Sequence, residues 1–352
     1  MIKRKNRTLY KEKKNQKVNI EYIAKVANVS PMTVSRALRK VPGVSKKNIE
    51  KINTLAKKLN YSPDFVAKNL RLSRTNTIGV IFNDVKNPFY SDVLWAISEK
   101  LHESNYSMLV SFSNWDINLE RDNISNLISK RVDGIIMSPV SEKDDNLKLL
   151  LNRNIETVFV DSVSTYEGIS YASTDHKKAA YLGTDYLIKC GHKDILLISV
   201  MPLASFSKQF LEGYKEALKD NNIKKNENLI FQLPNTSFDN CYKLLKGLIK
   251  KKTLFFTGIM FISDFLAISF YKVANKLGLK IPDDYSIVGF DNIDITLALN
   301  PPLTTINQLR KEIGYEAVRI LLNNINNPEN KVFEKVIEKP YLIIRDSVKK
   351  LN

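Results

Sequence analysis

Residues 20–59 read IEYIAKVANVSPMTVSRALRKVPGVSKKNIEKINTLAKKL, and local rules place three helices on them. Ile20, Ile23, Ala24 and Ala27 recur at helical spacing and mark a short amphipathic helix. Asn28 follows, a residue that tolerates the left-handed backbone of a tight turn. Ser30-Pro31 starts a second helix: a side-chain oxygen at the cap, then a ring that needs no N–H at the first helical position. Val34, Ala37 and Leu38 are its buried stripe. Ser45 caps a third helix, whose apolar face is Ile49, Ile52, Ala56 and Leu59. Two short helices joined by a tight turn, with a third behind them, make a helix-turn-helix. Any small helical hairpin could imitate that spacing, so the outward face of the second helix has to decide. Pro31, Met32, Thr33, Ser35, Arg36 and Arg39 are exposed polar donors or short contacts near a helix N-terminus, where a recognition helix meets bases and phosphates. A membrane-surface helix would need a broad Leu/Phe/Trp face, which this segment lacks.

The charge agrees. The first 75 residues hold 20 Lys/Arg against four Asp/Glu, a net +16, while the whole chain is +17. A basic module on a near-neutral body suits a polyanion, because each neutralised phosphate releases condensed counterions. Residues 3–17 alone carry eight Lys/Arg and few apolar residues, which predicts a disordered basic arm over 1–17.

Several further strings accompany the helical module. They are VSPMTVSRAL (Val29–Leu38), LNYSPDFVAKNLR (Leu59–Arg71) and TNTIGVIFNDVKNPFY (Thr75–Tyr90). KRVDGIIM (Lys130–Met137), GHKDILLIS (Gly191–Ser199), IPDDYSIVGFDN (Ile281–Asn292), PPLTTINQ (Pro301–Gln308) and IIRDS (Ile343–Ser347) follow in order. Together they closely resemble the LacI/GalR family of bacterial transcription regulators over essentially the whole chain after the basic arm. The resemblance implies a helix-turn-helix DNA-binding domain over 18–63 and a hinge helix and linker over 64–76. It also implies an effector-binding and dimerisation body over 77–352, with two interleaved lobes like those of periplasmic binding proteins. In the family the hinge helix orders on operator DNA, pairs with its two-fold mate and inserts a leucine into the minor groove. Leu70 is the matching residue, with Ala67 and Lys68 beside it, and Val66 is assigned to packing against the mate. An apolar wedge unstacks a base step while a neighbouring cation holds phosphate.

The body reads as an α/β fold on its own pattern. Apolar runs at Thr77–Phe82, Tyr106–Phe112, Val132–Met137, Glu156–Val160, Asp194–Val200, Leu229–Leu233, Gly258–Ile262 and Ser286–Phe290 alternate with helical stretches, which predicts parallel sheets covered on both faces. Ligands of such sheets bind at the carboxyl ends of strands. Asp84, Asp161, Ser263-Asp264 and Asp291-Asn292 stand there, each singly explicable as an N-cap. The resemblance marks Phe89 and Tyr90 as pocket aromatics on one lobe and Ser263, Asp264 and Asp291 on the other. Carboxylates accept paired hydroxyl hydrogen bonds and rings cover a sugar's apolar face. One departure stands out. Three residues before Gly213-Tyr214, where many family members carry an effector-gripping arginine, this chain has Phe210, with Phe206 and Phe238 near it. That puts a phosphorylated or carboxylate effector in doubt.

Other function classes leave no trace. The first 17 residues have no apolar core, so no signal peptide is expected, and Gly258, Ser263 and Asp264 interrupt the apolar stretch 253–270. Cys190 and Cys241 show no metal or redox spacing, His102, His176 and His192 are scattered, and no nucleophile-elbow, dinucleotide or P-loop string occurs. The expectation is therefore a cytoplasmic, non-enzymatic, homodimeric regulator without cofactor or metal, a repressor by sign, binding double-stranded operator DNA and a small sugar-like effector. The competing reading is a solute-binding protein or sugar-processing enzyme with the same two-lobed body, which would have no use for a helix-turn-helix.

Overall fold

A computed structural model of the chain describes residues 18–38, 41–61, 74–141, 145–164, 166–201, 204–252 and 254–351. The chain divides into two compact units, Met1–Thr75 and Asn76–Asn352. The expected basic arm and hinge helix lie outside the described residues.

In the first unit α1 (Ile20–Ala27), α2 (Pro31–Leu38) and α3 (Lys46–Lys58) close around Ile23, Ala27, Val34, Ala37 and Ile52. The caps fall where side-chain chemistry puts them. Asn28 takes φ 54°, Thr33 N–H donates to Ser30 Oγ at 3.1 Å, and Asn48 N–H donates to Ser45 Oγ at 3.4 Å. Lys51 Nζ donates to the Ala27 carbonyl at 2.7 Å, which satisfies an orphaned oxygen and sets a cation at the negative end of α1.

The second unit holds two six-stranded sheets. The first lobe contains β1 (Thr77–Phe82), α4 (Pro88–Glu103), β2 (Ser107–Phe112), α5 (Ile117–Ser129), β3 (Gly134–Met137), α6 (Asp145–Asn152), β4 (Glu156–Val160) and β5 (Ser170–Thr174). The second contains α7 (His176–Lys189), β6 (Ile195–Val200), α8 (Ser205–Asp220), β7 (Ile230–Leu233), α9 (Phe238–Lys251), β8 (Gly258–Phe261), α10 (Asp264–Leu277), β9 (Ser286–Asp291) and β10 (Thr304–Asn307). The chain then returns through α11 (Arg310–Asn326) and β11 (Lys335–Glu338) to the first sheet and ends on β12 (Tyr341–Ile343) in the second. The strand orders are β11-β5-β4-β3-β1-β2 and β12-β10-β9-β8-β6-β7, parallel throughout except for β10 with β12. The backbone crosses between lobes three times, at Asp175, at Gln308-Leu309 and at Lys339-Pro340.

Alternate residues of each central strand feed opposite cores. Ile78, Val80 and Phe82 of β1, Ile136 of β3 and Val158 of β4 join one cluster with α4 and α11; Ile81, Ile135, Met137 and Phe159 join another. That is a sheet covered on both faces, and it explains the unbroken apolar runs. In the second lobe Gly213 lets α8 meet α7, since a Cβ there would lie 1.9 Å from the Lys177 carbonyl. Cys190 and Cys241 are buried free thiols. Among the described residues no helix is long and apolar enough to cross a membrane.

Candidate functional site

The outward face of α2 carries Pro31, Met32 and Arg36 in solvent, with Thr33 and Ser35 half-buried beside them. The Thr33 hydroxyl lies 2.9 Å from Ser30 Oγ, so it belongs partly to the cap. Arg36 Nη1 would sit 3.6 Å from a Cβ at Gly43, which has φ 104°; the glycine leaves the guanidinium room beside the α2–α3 loop. Arg39, Val66, Ala67, Lys68 and Leu70 lie outside the described residues.

In the body a cleft opens between the lobes at the carboxyl ends of both sheets. The space between the lining residues, open mouth included, is about 330 Å³. The first lobe lines it with Asn87, Phe89, Tyr90, Trp115 and Asp161. The second contributes Phe206, Thr236, Ile262, Ser263, Phe290 and Asp291, and Gln308 enters from a crossover. Asn87 Oδ1 caps α4 by accepting from Phe89 N–H at 3.1 Å, which delivers the two aromatic rings to the cleft. Three lining residues stand at left-handed backbone that L side chains rarely adopt: Trp115 at φ 63°, Asp161 at 61° and Asp291 at 122°. Such strain, of order 1–3 kcal/mol per residue, persists where the surroundings over-determine it and clusters at functional sites. The Trp115 Nε1 is buried with no hydrogen-bond partner among the described residues, a donor left for something in the cleft.

A hydrogen-bonded chain joins the carboxylates to two of the three crossovers. His176, the first residue of α7, has Nδ1 3.0 Å from the Thr174 carbonyl and Nε2 2.9 Å from Asp161 Oδ1. A carbonyl only accepts, so Nδ1 carries the ring proton and Nε2 faces the acid. Burial pushes the Asp161 carboxyl well above the usual range and drops the imidazole to about 3, so the pair rests as neutral acid donating to neutral imidazole. The Thr174 hydroxyl donates to Gln308 Oε1 at 3.1 Å; Gln308 Nε2 donates to Asp291 Oδ1 at 2.6 Å; Ser263 Oγ donates to Asp291 Oδ2 at 3.0 Å. Burial first, then repulsion from Asp264 and Asp161, holds the Asp291 carboxyl well above its ordinary range. Arg310 ties the neighbourhood together, pairing with Asp92 of α4 while donating to the Asn292 carbonyl at 2.8 Å.

Of the expected effector residues, Phe89, Tyr90, Asp161, Ser263 and Asp291 line one cleft, and three others do not. Asp264 points into the second lobe, accepting from Thr305 Oγ1 at 2.7 Å and Ile293 N–H at 3.0 Å, with burial raising its carboxyl to about 6. It pins β10 to the turn after β9. Phe210 is fully buried behind the wall, its ring 5.5 Å from that of Phe290, so it supports the lining without forming it. Asp84 sits half-buried at the edge, accepting from Lys86 N–H at 2.8 Å and, across the lobes, from the Thr236 hydroxyl at 3.2 Å. Of the strand-end residues only Ser263 caps a helix directly, accepting from Phe265 N–H. Trp115, Thr236, Gln308 and His176 were not foreseen; His176 is not an isolated histidine but the partner of Asp161.

Known proteins resemble this chain over most of its length. A model of bacterial regulatory proteins of the lacI family covers residues 19–64, and a model of periplasmic binding proteins and the sugar-binding domain of the LacI family covers residues 75–345. The HTH-type transcriptional repressor PurR of Actinobacillus pleuropneumoniae serotype 3 is 31% identical over 337 residues, 95% of this chain and 99% of the relative. A lac repressor dimer bound to operator and the anti-inducer ONPF superposes with TM-score 0.82 at 23% identity, over 95% of this chain and 100% of that one. A LacI family regulator from Enterococcus faecium with bound ribose reaches TM-score 0.71 at 28% identity, over 78% of this chain and 100% of that one.

Proposed function

Because this chain belongs to the LacI family, as a DNA-binding repressor with a ligand-binding body, we propose that it acts in the cytoplasm as a homodimer on a near-palindromic operator and answers to a small polyhydroxylated, sugar-like effector held between its lobes. The domain limits are 18–63 for the helix-turn-helix, 64–76 for the hinge and linker, and 77–352 for the body. Pro31, Met32, Thr33, Ser35 and Arg36 contact bases and phosphates in the major groove, Arg36 by a bidentate fork to guanine. Leu70 wedges the minor groove with Ala67 and Lys68 beside it. In the cleft Asp161 and Asp291 accept effector donors, and Phe89 and Tyr90 cover its apolar face. The protein carries out no chemistry on the ligand; its output is operator occupancy.

The observation that supports the effector reading is the hydrogen-bonded run Asp161–His176–Thr174–Gln308–Asp291, which passes through two interlobe crossovers. A ligand that bonds these carboxylates acts on the segments that must bend when the lobes move, so it binds one lobe arrangement better than another. That difference is what allostery requires. Titrating labelled operator DNA with the protein tests the reading, using full palindromes, isolated half-sites and unrelated duplexes, with and without D-ribose, D-glucose and D-galactose. The expected result is preference for the full palindrome and a shift in operator affinity with at least one sugar. Equal binding to half-site and palindrome would sink the dimer reading, and indifference to every sugar would sink the sugar-like effector.

A further inference from the structure

Resting on the reading of the cleft as the effector site, we propose that the effector carries a protonated nitrogen, as in an amino sugar or another hydroxylated organic amine, seated against Asp161 and Asp291 inside an aromatic box.

Charge carries the argument. Among the described residues the cleft lining holds two carboxylates and no Lys, Arg or His. Among the described residues neither acid has a cation in hydrogen-bond contact: Asp161 meets the neutral imidazole of His176, and Asp291 meets the neutral Gln308 and Ser263. The nearest compensation for Asp291 is the through-space influence of Arg310, whose guanidinium is committed to Asp92 and the Asn292 carbonyl. At the position where the resemblance expects an arginine, Phe210 is buried instead. A ligand anion would therefore enter a site with acids and nothing to hold it. A neutral polyol would satisfy hydrogen bonds but leave the acids without a counter-charge when they ionise. A ligand ammonium supplies it, because buried carboxylates are stable when paired with a cation and hydrogen-bonded.

The rings point the same way. Phe89, Tyr90, Trp115, Phe206 and Phe290 contribute five aromatic side chains to the lining, and the faces of such rings attract ammonium groups. Phe206 and Phe290 also flank His176, at ring distances of 5.8 and 5.6 Å, so the aromatic wall encloses the Asp161–His176 pair itself. The Trp115 Nε1 donor remains for a ligand hydroxyl. An aromatic, acidic and donor-bearing cleft thus matches a molecule with both ammonium and hydroxyl groups.

Binding then exchanges one cation for one proton. Before binding, the Asp161–His176 pair holds the acid proton and the Nδ1 proton, and is neutral. The incoming ammonium keeps its own protons, Asp161 gives its acid proton to solvent, and a carboxylate–ammonium pair remains. The other titratable groups facing Asp161 are Tyr90 from α4 and Asp291 from β9, in addition to His176 from α7. Tyr90 stays neutral because burial raises its phenol, and Asp291 repels a second negative charge until the cation arrives. Since burial raises the Asp161 carboxyl, affinity for the ammonium climbs as pH rises toward that raised value.

Calorimetry and melting shifts with the full-length protein test this, using D-glucosamine, D-galactosamine and D-mannosamine beside their parent hexoses and N-acetyl derivatives. Ethanolamine serves as a hydroxylated amine without a ring, and D-gluconate as the anion. The expected result is at least one amine binding about tenfold or more tighter than its neutral counterpart, with proton release seen as buffer-dependent enthalpy. Asp161→Asn and Asp291→Asn should each reduce that preference. A neutral sugar or gluconate that binds as well as the amines, with binding lost in the Asn variants, overturns the charge assignment and leaves the cleft as effector site. Binding unaffected by either Asn variant instead overturns the cleft reading. Failure of every amine to move the melting temperature also overturns the charge assignment.

Discussion

Asp291→Asn should separate ligand response from stability, and the two effects have opposite signs. The side chain is 3% exposed, and burial followed by repulsion from Asp264 and Asp161 raises its carboxyl. A group raised on folding contributes stability that is complete below its unfolded value and is lost as pH rises through the folded value. At neutral pH the wild type therefore carries a penalty that an amide lacks. Against that gain stand the bonds from Gln308 and Ser263: an amide accepts from Gln308 through its oxygen but meets Ser263 Oγ only by donating from its nitrogen, at about 1 kcal/mol each in place of the ~1.5–3 kcal/mol of charged ones. The two terms oppose, so the melting temperature near neutrality should fall by less than the loss of two buried hydrogen bonds alone would cause. Relative to wild type the variant should gain stability as pH is raised from the ordinary carboxylate range toward the raised folded value. Effector binding has no such compensation. Losing two charge-assisted hydrogen bonds costs about 3–6 kcal/mol, roughly 10²–10⁴ in affinity. Scanning fluorimetry over pH reads the first effect, and operator anisotropy with titrated effector reads the second. A variant that responds at the wild-type effector concentration, or that loses stability relative to wild type as pH rises, would refute the reasoning.

Arg36→Ala should cost about 1–3 kcal/mol on the preferred operator and relax selectivity at one symmetric position, measured by binding to a panel of single-base variants; uniform weakening would make Arg36 a phosphate contact. Leu70→Ala should reduce operator bending and specific affinity while sparing salt-sensitive nonspecific binding, read by bend-dependent gel mobility, and an unchanged bend would reassign the residue to packing. Gly213→Ala should destabilise the body by about 1–3 kcal/mol or more in urea unfolding, because its Cβ would meet the Lys177 carbonyl at 1.9 Å. A variant as stable as wild type would mean that α7 and α8 separate freely.

What was legible depended on how each element buries its side chains. Six of the eight strand runs are central parallel strands with both faces apolar, as in β1 and β6, while β2 and β7 are edges; the ends differ from the expected ones by up to two residues, as at Val132 against Gly134. β5, SYAST, and β10, TTIN, give no apolar run although they are almost wholly buried, because hydrogen bonds satisfy their polar side chains. Ser170 Oγ accepts from Glu334 N–H, Thr305 donates to Asp264, and Thr304 exchanges bonds with Arg345 and Ser347. β11 and β12 are short edges with alternate or partial exposure. Hydropathy reports transfer from water, and it does not register a polar group whose partners arrive from distant sequence. The site was half-legible for a related reason. The rule that ligand residues follow strand carboxyl ends found Asp161 and Ser263, and applied to β2 and β7 it would also have found Trp115 and Thr236. No local signal distinguished Asp264 from its neighbour Ser263: which of two adjacent polar residues turns toward the cleft depends on Thr305 and the Ile293 N–H, both supplied by the fold.

The geometry also limits what can switch this repressor. Moving a two-state equilibrium from 1:99 to 99:1 needs about 5.5 kcal/mol of differential binding. One charge-assisted contact supplies about 1.5–3 kcal/mol, so a single contact falls short and several together reach the range. Asp161 stands on the first lobe and Asp291 on the second, and Asp84 with Thr236 already links the lobes at the edge. A molecule touching Asp161 alone would bind without favouring either lobe arrangement, however tightly it held. Only one that spans both acids gains contacts in one arrangement that it loses in the other. Size follows from that requirement. The effector must reach across the cleft from Asp161 to Asp291 while resting on Phe89 and Tyr90, which favours a hydroxylated ring over a lone ammonium ion. Ammonium chloride should accordingly bind weakly and leave operator affinity unchanged in a titration where a spanning amine shifts it, and an equal shift from ammonium alone would show that charge without reach drives the change.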